Sequence, residues 1–285
     1  LVYFAELKGM KRSDAVKSVD YWLKRLEMTE YRDKRLDTLS KGNQQKIQLI
    51  TAVAHNPQIV ILDEPFSGLD PVNAMLLKDV AEHYKIYNIS LLRYFVKRIM
   101  ENLSKPTSIN SIYNDIKSQG AKVSKDDLYL WANYVCNIFL FIRIPKYERS
   151  LSKEQKSLNK YYCIDNGLRS AVLLPQSNDN GKYLENSVFL HLNRNKHLDD
   201  KITYFQGNYE CDFVVQRMED VVELIQVCWD ISEKETLKRE IRGLLEASKI
   251  TNCDNLNIIT IEEERTIQIE EKMINIIPAW KWMMQ

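Results

Sequence analysis

The sequence predicts an α/β protein built from three consecutive parts. Apolar residues recur at helical spacing through residues 2–28 and again after Lys41, which predicts amphipathic helices. A continuous apolar run at 59–62 is typical of a central parallel strand that is buried on both faces. The last part shows helix and strand patterns in the order α-β-β-β-α-β. We assign the three parts to residues 1–80, 81–145 and 146–285.

Composition indicates a globular protein with room for two or more domains. The chain has 285 residues, of which 45% are hydrophobic and 28% are charged. Its formal net charge of +1 gives no bulk attraction to nucleic acid or to an anionic membrane. No apolar run is long enough to span a membrane and no signal peptide pattern is visible, so we expect a cytoplasmic location. The cysteines form no C-x-x-C pair, which favours reduced, buried thiols.

The first part carries an ordered set of loop, helix, strand and loop over residues 39–71. Leu39-Ser40-Lys41-Gly42 leads into a helical pattern that closes near Pro57. The apolar run follows and delivers two acids, Asp63 and Glu64, at its carboxyl end, and Ser-Gly-Leu-Asp comes next. This order and spacing resemble the signature helix, Walker B strand and D-loop of an ABC-type ATPase.

The resemblance implies a role for each of these residues. Ser40 and Gly42 would offer backbone N–H groups to the γ-phosphate of ATP. Asp63 would support Mg²⁺, Glu64 would orient the attacking water, and Asp70 would act across a dimer interface. The family role is to power a membrane exporter.

The phosphate-binding loop of that family is not found in the sequence. No Gly-x-x-x-x-Gly-Lys-Ser/Thr occurs in it, so the first part resembles only the second half of a P-loop ATPase. We therefore expect ATP and Mg²⁺ to bind only with an ABC-type partner subunit that supplies the loop, and we expect no ATP hydrolysis by the chain alone.

The second part predicts three helices followed by a strand at 139–142. Ser108 is suited to cap the second helix, and Ser124 with Asp127 forms a capping-box pattern at the third. This order is typical of a winged helix. One interpretation is that the third helix binds DNA, and the other is that the module is a packing or dimerisation adaptor. The acids Asp126 and Asp127 at the start of that helix favour the adaptor.

From Tyr87 onward the chain resembles the C-terminal region of prokaryotic AAA-type ATPases, in which a winged helix precedes an uncharacterised domain of restriction-nuclease-like fold. The segments that carry the resemblance include ISLLRYFVKRI, KYLENSVFLHL, ECDFVV and ELIQVCWDIS. The AAA core itself is not found in the sequence. Trp280 and Trp282 near the end are expected to pack against the sheet.

The resemblance implies a PD-(D/E)XK nuclease site, which needs a helix Glu, a strand Asp and an acid-x-Lys pair on the next strand. Glu185 and Asp212 fit the first two places. Gln226 stands where the acid belongs, and Cys228 stands where the lysine belongs. Glu210 shares a face with Asp212 and is a candidate substitute ligand, although a solvated, exposed acid is the expected alternative.

The sequence thus predicts a partial, ABC-type P-loop ATPase, then a winged helix, then a degenerate restriction-nuclease-like α/β domain. The leading functional hypothesis is an ATPase-associated binding and interaction protein whose last two parts make any nucleic-acid contact. One alternative is the ATP-hydrolysing subunit of an ABC-type efflux transporter. Another is a fusion or assembly relic without an integrated function.

Overall fold

The computed structural model describes residues 1–26, 28–39, 41–57, 80–81, 83–173 and 180–284. The chain divides into two compact units, Leu1–Asn73 and Ala74–Gln285. A helix that crosses a membrane must be longer and more apolar than any helix within those described ranges.

The described part of the first unit is helical. Its α-helices are α1 (Val2–Leu7), α2 (Arg12–Arg25) and α3 (Lys41–Val53), and single 3-10 turns lie at Thr29–Tyr31 and Leu36–Thr38. Gly9, between α1 and α2, has a φ of +93°, a left-handed conformation that glycine adopts readily. Leu23 of α2 and Ile50 of α3 belong to one buried apolar cluster, and the Ser18 hydroxyl donates to the Ala54 carbonyl at 2.6 Å. These contacts hold α3 against α2.

The second unit begins with three helices and a two-stranded antiparallel hairpin. These elements are α4 (Ile89–Glu101), α5 (Ile109–Ser118), α6 (Lys125–Asn137), β1 (Phe141–Pro145) and β2 (Asn159–Cys163), with the short helix α7 (Leu151–Lys156) between the two strands. The Ser108 hydroxyl accepts from the Ser111 N–H, and Ser124 and Asp127 form a reciprocal capping box. The predicted starts of α5 and α6 are therefore confirmed.

A six-stranded mixed sheet forms the rest of the second unit. The strands of the sheet are β3 (Asp200–Gln206), β4 (Glu210–Arg217), β5 (Asp220–Val227), β6 (Leu256–Thr260), β7 (Arg265–Ile269) and β8 (Lys272–Pro278). The helices in this part of the unit are α8 (Asn166–Val172), α9 (Asn180–Asn195), α10 (Lys234–Thr251) and α11 (Ala279–Trp282). The spatial order is β3-β4-β5-β6-β8-β7. β6 is parallel to β5 and to β8, and the other neighbouring pairs are antiparallel.

Apolar side chains cover both faces of this sheet. On one face Phe189 of α9 and Tyr162 of β2 stack at 4.2 Å between ring centroids, and Phe213 of β4 packs beside them. On the other face Leu244 of α10 packs in a cluster with Leu224 of β5. Because helices cover both faces, the central strands are almost continuously apolar.

The predicted order α-β-β-β-α-β is present in the last part as α9, β3, β4, β5, α10 and β6. The strands β7 and β8 are not among the predicted elements. Trp282 is 8% exposed and packs into the core as expected, but the same prediction for Trp280 is wrong because its side chain is 61% exposed. The two residues lie on one short helix at positions that face different ways.

Gly243 lies in the middle of α10, where the helix crosses β4 closely. A Cβ atom at this position would collide with the Glu210 carbonyl oxygen. Alanine favours a helix over glycine by about 1 kcal/mol, but an overpacked contact of this kind costs about 1–3 kcal/mol or more. We therefore expect Gly243→Ala to lower the free energy of unfolding in urea. Gly181→Ala in α9, where a Cβ meets open space, should leave it unchanged or raise it.

Candidate functional site

A buried lysine lies at the centre of the most highly charged cluster in the described part of the second unit. The Lys160 ammonium, on β2, is completely buried. Its Nζ lies 3.0 Å from Asp212 Oδ1, 3.3 Å from Glu185 Oε1 and 2.5 Å from Glu210 Oε1. One cation therefore neutralises carboxylates from α9 and from β4.

Aromatic side chains surround this ammonium and exclude water from it. The Tyr162 hydroxyl, on the same face of β2, donates to Glu185 Oε1 at 2.8 Å. The ring of Tyr204 on β3 lies 5.4 Å from Lys160 Nζ in a cation–π arrangement. Burial alone would lower the pKa of Lys160. The carboxylates around it, Glu185 first, and the Tyr162 hydroxyl raise its pKa well above its ordinary value. Lys160 therefore stays charged at neutral pH.

The carboxylates outnumber the ammonium, and this excess of negative charge affects the pKa of Glu185. Burial first, and then the nearby charge of Asp212, raises the pKa of Glu185 to about 8, although Lys160 acts in the opposite direction. At neutral pH the Glu185 carboxyl is therefore largely protonated. The proton on Glu185 and the Lys160 ammonium together reduce the negative charge of the cluster.

Asp212 is fixed in place by the neighbouring strand β5. Its Oδ2 accepts from the Val227 N–H at 2.9 Å, and its own N–H donates to Gln226 Oε1 at 3.2 Å. Gln226 thus lies directly beside Asp212. Its amide nitrogen donates to Glu240 of α10. Gln226 therefore orients two acids and adds no negative charge of its own.

The predicted lysine position is occupied by a neutral thiol. Burial raises the pKa of Cys228 to about 11, and Glu240 adds to this rise. Glu240 itself is 4% exposed, and its Oε1 accepts from Arg239 at 2.6 Å. A positive charge at this end of β5 comes from Arg239 on the helix and not from residue 228 on the strand.

These residues do not fit a divalent cation in their observed arrangement. Glu185, Glu210 and Asp212 each turn an oxygen toward Lys160 Nζ, so the ammonium occupies the point where the oxygens converge. Within the described ranges, no group of three or more His, Cys, Asp and Glu side chains is arranged to hold a metal ion. A lysine of the chain itself therefore lies where a metal ion would have to bind.

The structure corrects the sequence-based interpretation at Glu210, for which an exposed, solvated acid is expected. Its side chain is 31% exposed and pairs directly with Lys160. Sequence reasoning also misses Lys160 itself. The available signal is the alternation of β2, because Lys160 and Tyr162 share one face of a strand that also contains the buried Tyr161 and Cys163. A lysine in such a strand requires buried carboxylates as partners.

The residues predicted for the ATP site lie in the first unit. Ser40, Asp63, Glu64 and Asp70 lie outside the described residues. Gly42 lies in the first turn of α3, because this helix begins at Lys41.

Comparison with known proteins matches two segments of the chain to different family models. Residues 4–67 match the model described as ABC transporter, and residues 69–179 match one described as Domain of unknown function (DUF8612). The first segment thus carries part of an ABC transporter ATP-binding domain. No solved structure matches the chain.

Curated relatives include two ABC transporter ATP-binding proteins. The chain is 51% identical over 105 residues to the uncharacterized ABC transporter ATP-binding protein YhaQ of Bacillus subtilis, covering 37% of this chain and 35% of that protein. It is 58% identical over 80 residues to the uncharacterized ABC transporter ATP-binding protein MJ1023 of Methanocaldococcus jannaschii, covering 28% and 30%. An uncharacterized protein of Haemophilus influenzae is 25% identical over 240 residues, covering 80% of this chain and 55% of that protein. The chain spans about a third of the length of these ABC relatives.

Proposed function

We propose that the first unit supplies the signature half of an ABC-type ATP site, and that ATP hydrolysis at the completed site powers a transporter. The observation that carries this proposal is the match of residues 4–67 to the ABC transporter family. It is supported by α3, a 13-residue helix that begins at Lys41, immediately after Ser40. The N-terminus of such a helix presents N–H groups and a positive dipole end to an anion.

Contacts among the described residues fix the loop that leads into this helix. The Gln44 side-chain amide donates to the carbonyl oxygens of Leu36 and Leu39, at 3.2 and 3.0 Å. The Lys46 ammonium donates to the Leu26 carbonyl at 3.3 Å. These contacts hold the described residues that precede α3 against this helix.

In the proposed site each acid has the role that the family resemblance implies. Asp63 would support Mg²⁺, Glu64 would orient the attacking water and Asp70 would act across the interface. The phosphate loop would come from a segment or subunit outside these residues, and a membrane-spanning partner would carry the transported substrate. Such an assembly would place this unit on the cytoplasmic side of a membrane.

Complementation of ATP hydrolysis tests this proposal. The chain would be mixed with an ABC-type subunit that has an intact phosphate loop and a disabled signature serine. We expect Mg²⁺-dependent phosphate release only in the mixture, and we expect Ser40→Arg to reduce it by about 10²-fold or more. Ser13→Arg, at an exposed serine in α2, is the matched control. Release that is equal in the Ser40→Arg and Ser13→Arg mixtures would contradict the proposal.

For the second unit we propose a binding and interaction module. In this proposal α4–α6 with the β1–β2 hairpin form a winged-helix arrangement, and the six-stranded sheet is a restriction-nuclease-like domain. The supporting observation is that Lys160 closes the carboxylate cluster, so that Glu185, Glu210 and Asp212 leave no open position for a metal ion. An adaptor role is favoured over DNA binding by the exposed N-terminal turn of α6, because Asp126 and Asp127 would repel phosphate there.

A further inference from the structure

A cavity of about 590 Å³ opens between α6 and the β1–β2 hairpin of the second unit. Its size falls in the range of about 300–1,000 Å³ that is typical of small-molecule sites. It does not include the Lys160 cluster, and no residue of the first unit lines it. The cavity therefore belongs neither to the proposed ATP site nor to the carboxylate cluster.

The charged residues of this cavity give it a net positive lining. Arg143 on β1 and Lys156 at the end of α7 supply two cations. The single lining acid, Glu154, is already neutralised by Lys201, whose Nζ lies 2.7 and 2.6 Å from its two carboxylate oxygens. Because the acid is paired and the two cations are exposed, the lining favours an anionic ligand.

The position of Arg143 is fixed before any ligand binds. Its Nη1 donates to Asn133 Oδ1 at 2.8 Å, which anchors β1 to α6 across the cavity. A guanidinium has five N–H donors in a planar fork, so further donors stay available for phosphate oxygens. This geometry is typical of phosphate recognition by arginine.

Aromatic and apolar side chains form the rest of the lining. The Tyr129 ring on α6 is 47% exposed, and the buried Tyr161 lies at the floor together with Ile109 and Leu158. An exposed ring at the cavity edge can stack on a planar base, an interaction worth about 1–3 kcal/mol. A free phosphate would use only the cationic part of a cavity of this size.

We propose that this cavity binds one nucleotide unit, with its phosphate on Arg143 and Lys156 and its base against Tyr129. The unit could come from two sources that share this chemistry, a free mononucleotide or one residue of a single-stranded nucleic acid. The proposal does not depend on the ATP site of the first unit, because none of the lining residues lies there.

Fluorescence anisotropy of the full chain tests the proposal with two probes, labelled AMP and a labelled short oligothymidylate. We expect at least one probe to bind. Arg143→Ala and Lys156→Ala should each weaken binding by roughly tenfold or more, since each removes a charge-assisted contact. Tyr129→Ala should weaken binding, and Tyr129→Phe should retain it because the ring remains.

Controls separate this site from general charge effects and from the proposed ATP site. Lys249→Ala removes an exposed cation on α10, away from the cavity, and should leave binding unchanged. Ser40→Arg should also leave it unchanged. Binding of AMP identifies a free nucleotide as the source, and binding of the oligonucleotide alone identifies a nucleic-acid strand. Failure of both probes to bind, or an equal loss in Lys249→Ala and Lys156→Ala, would overturn the proposal. Lys156 is exposed, so its variant remains informative even where Arg143→Ala unfolds.

Discussion

Lys160→Met is expected to destabilise the second unit by about 3–5 kcal/mol, the range observed when one partner of a buried ion pair is removed. Methionine fills a similar volume but leaves Glu185, Glu210 and Asp212 without their shared cation. Of these acids, Glu185 and Asp212 are nearly buried. Urea unfolding of the full chain, followed by tryptophan fluorescence, measures the change.

The matched control is Lys201→Met on β3. Lys201 also pairs with a glutamate, but its side chain is 43% exposed, and such half-exposed pairs contribute about 0–1 kcal/mol. A loss in Lys160→Met no greater than that in Lys201→Met would contradict the central role of Lys160 in the cluster.

The destabilisation should also depend on pH, with a sign set by Glu185. A carboxyl group whose pKa is raised by folding contributes stability below its unfolded pKa, near 4.3, and loses that contribution as pH rises through its folded pKa. In the parent chain this window extends up to about pH 8, the pKa of Glu185. Lys160 lowers the pKa of Glu185, so its removal should raise that pKa further. The loss in Lys160→Met should therefore be greater near pH 8 than near pH 5, and an equal loss at both would count against this account.

The sequence predicts local structure well where local chemistry determines it. The capping box of Ser124 and Asp127 places the start of α6 correctly, because both hydrogen bonds form within one helical turn. The alternation of apolar residues predicts β3 to β6, because the alternation is also a property of neighbouring residues within one element. β7 is missed because it is a five-residue edge strand in which only Ile267 and Ile269 pack against the core, so its apolar alternation is short.

The candidate site is only half predictable from the sequence. Glu185 and Asp212 are identified by their order on successive elements, and the structure brings both to Lys160. Lys160 lies 25 and 52 residues before them in the chain, on a hairpin outside the main sheet. Sequence spacing carries no information about a contact between separate elements at such distances. The sequence indicates that β5 lacks a charged acid and a lysine. The structure shows that Lys160 on β2 supplies a cation to the acids.

The last prediction is that the chain does not cleave DNA or RNA with Mg²⁺ or Mn²⁺. The oxygens of Glu185, Glu210 and Asp212 are directed at Lys160 Nζ, so a metal ion would have to displace a buried ammonium. Gln226 adds no charge beside Asp212. Each electrostatic stabiliser missing from such a site costs about 10²- to 10³-fold in rate, so cleavage should fall below detection in a plasmid-nicking assay.

Introducing on β5 the acid-x-Lys pair of the nuclease resemblance tests the cause of the expected inactivity. The double variant Gln226→Glu with Cys228→Lys supplies the acid and the lysine of that pair. In the parent, Glu240 accepts a hydrogen bond from the Gln226 amide, so the new carboxylate would face the carboxylate of Glu240. We therefore expect no nicking by the double variant, because the pattern is restored while Lys160 still occupies the cluster. Metal-dependent nicking by the parent that is lost in Asp212→Ala and kept in Asp220→Ala, at an exposed acid on the same sheet, would show an active site. Nicking gained only by the double variant would instead mean that the missing β5 charges, and not the ammonium, prevent catalysis.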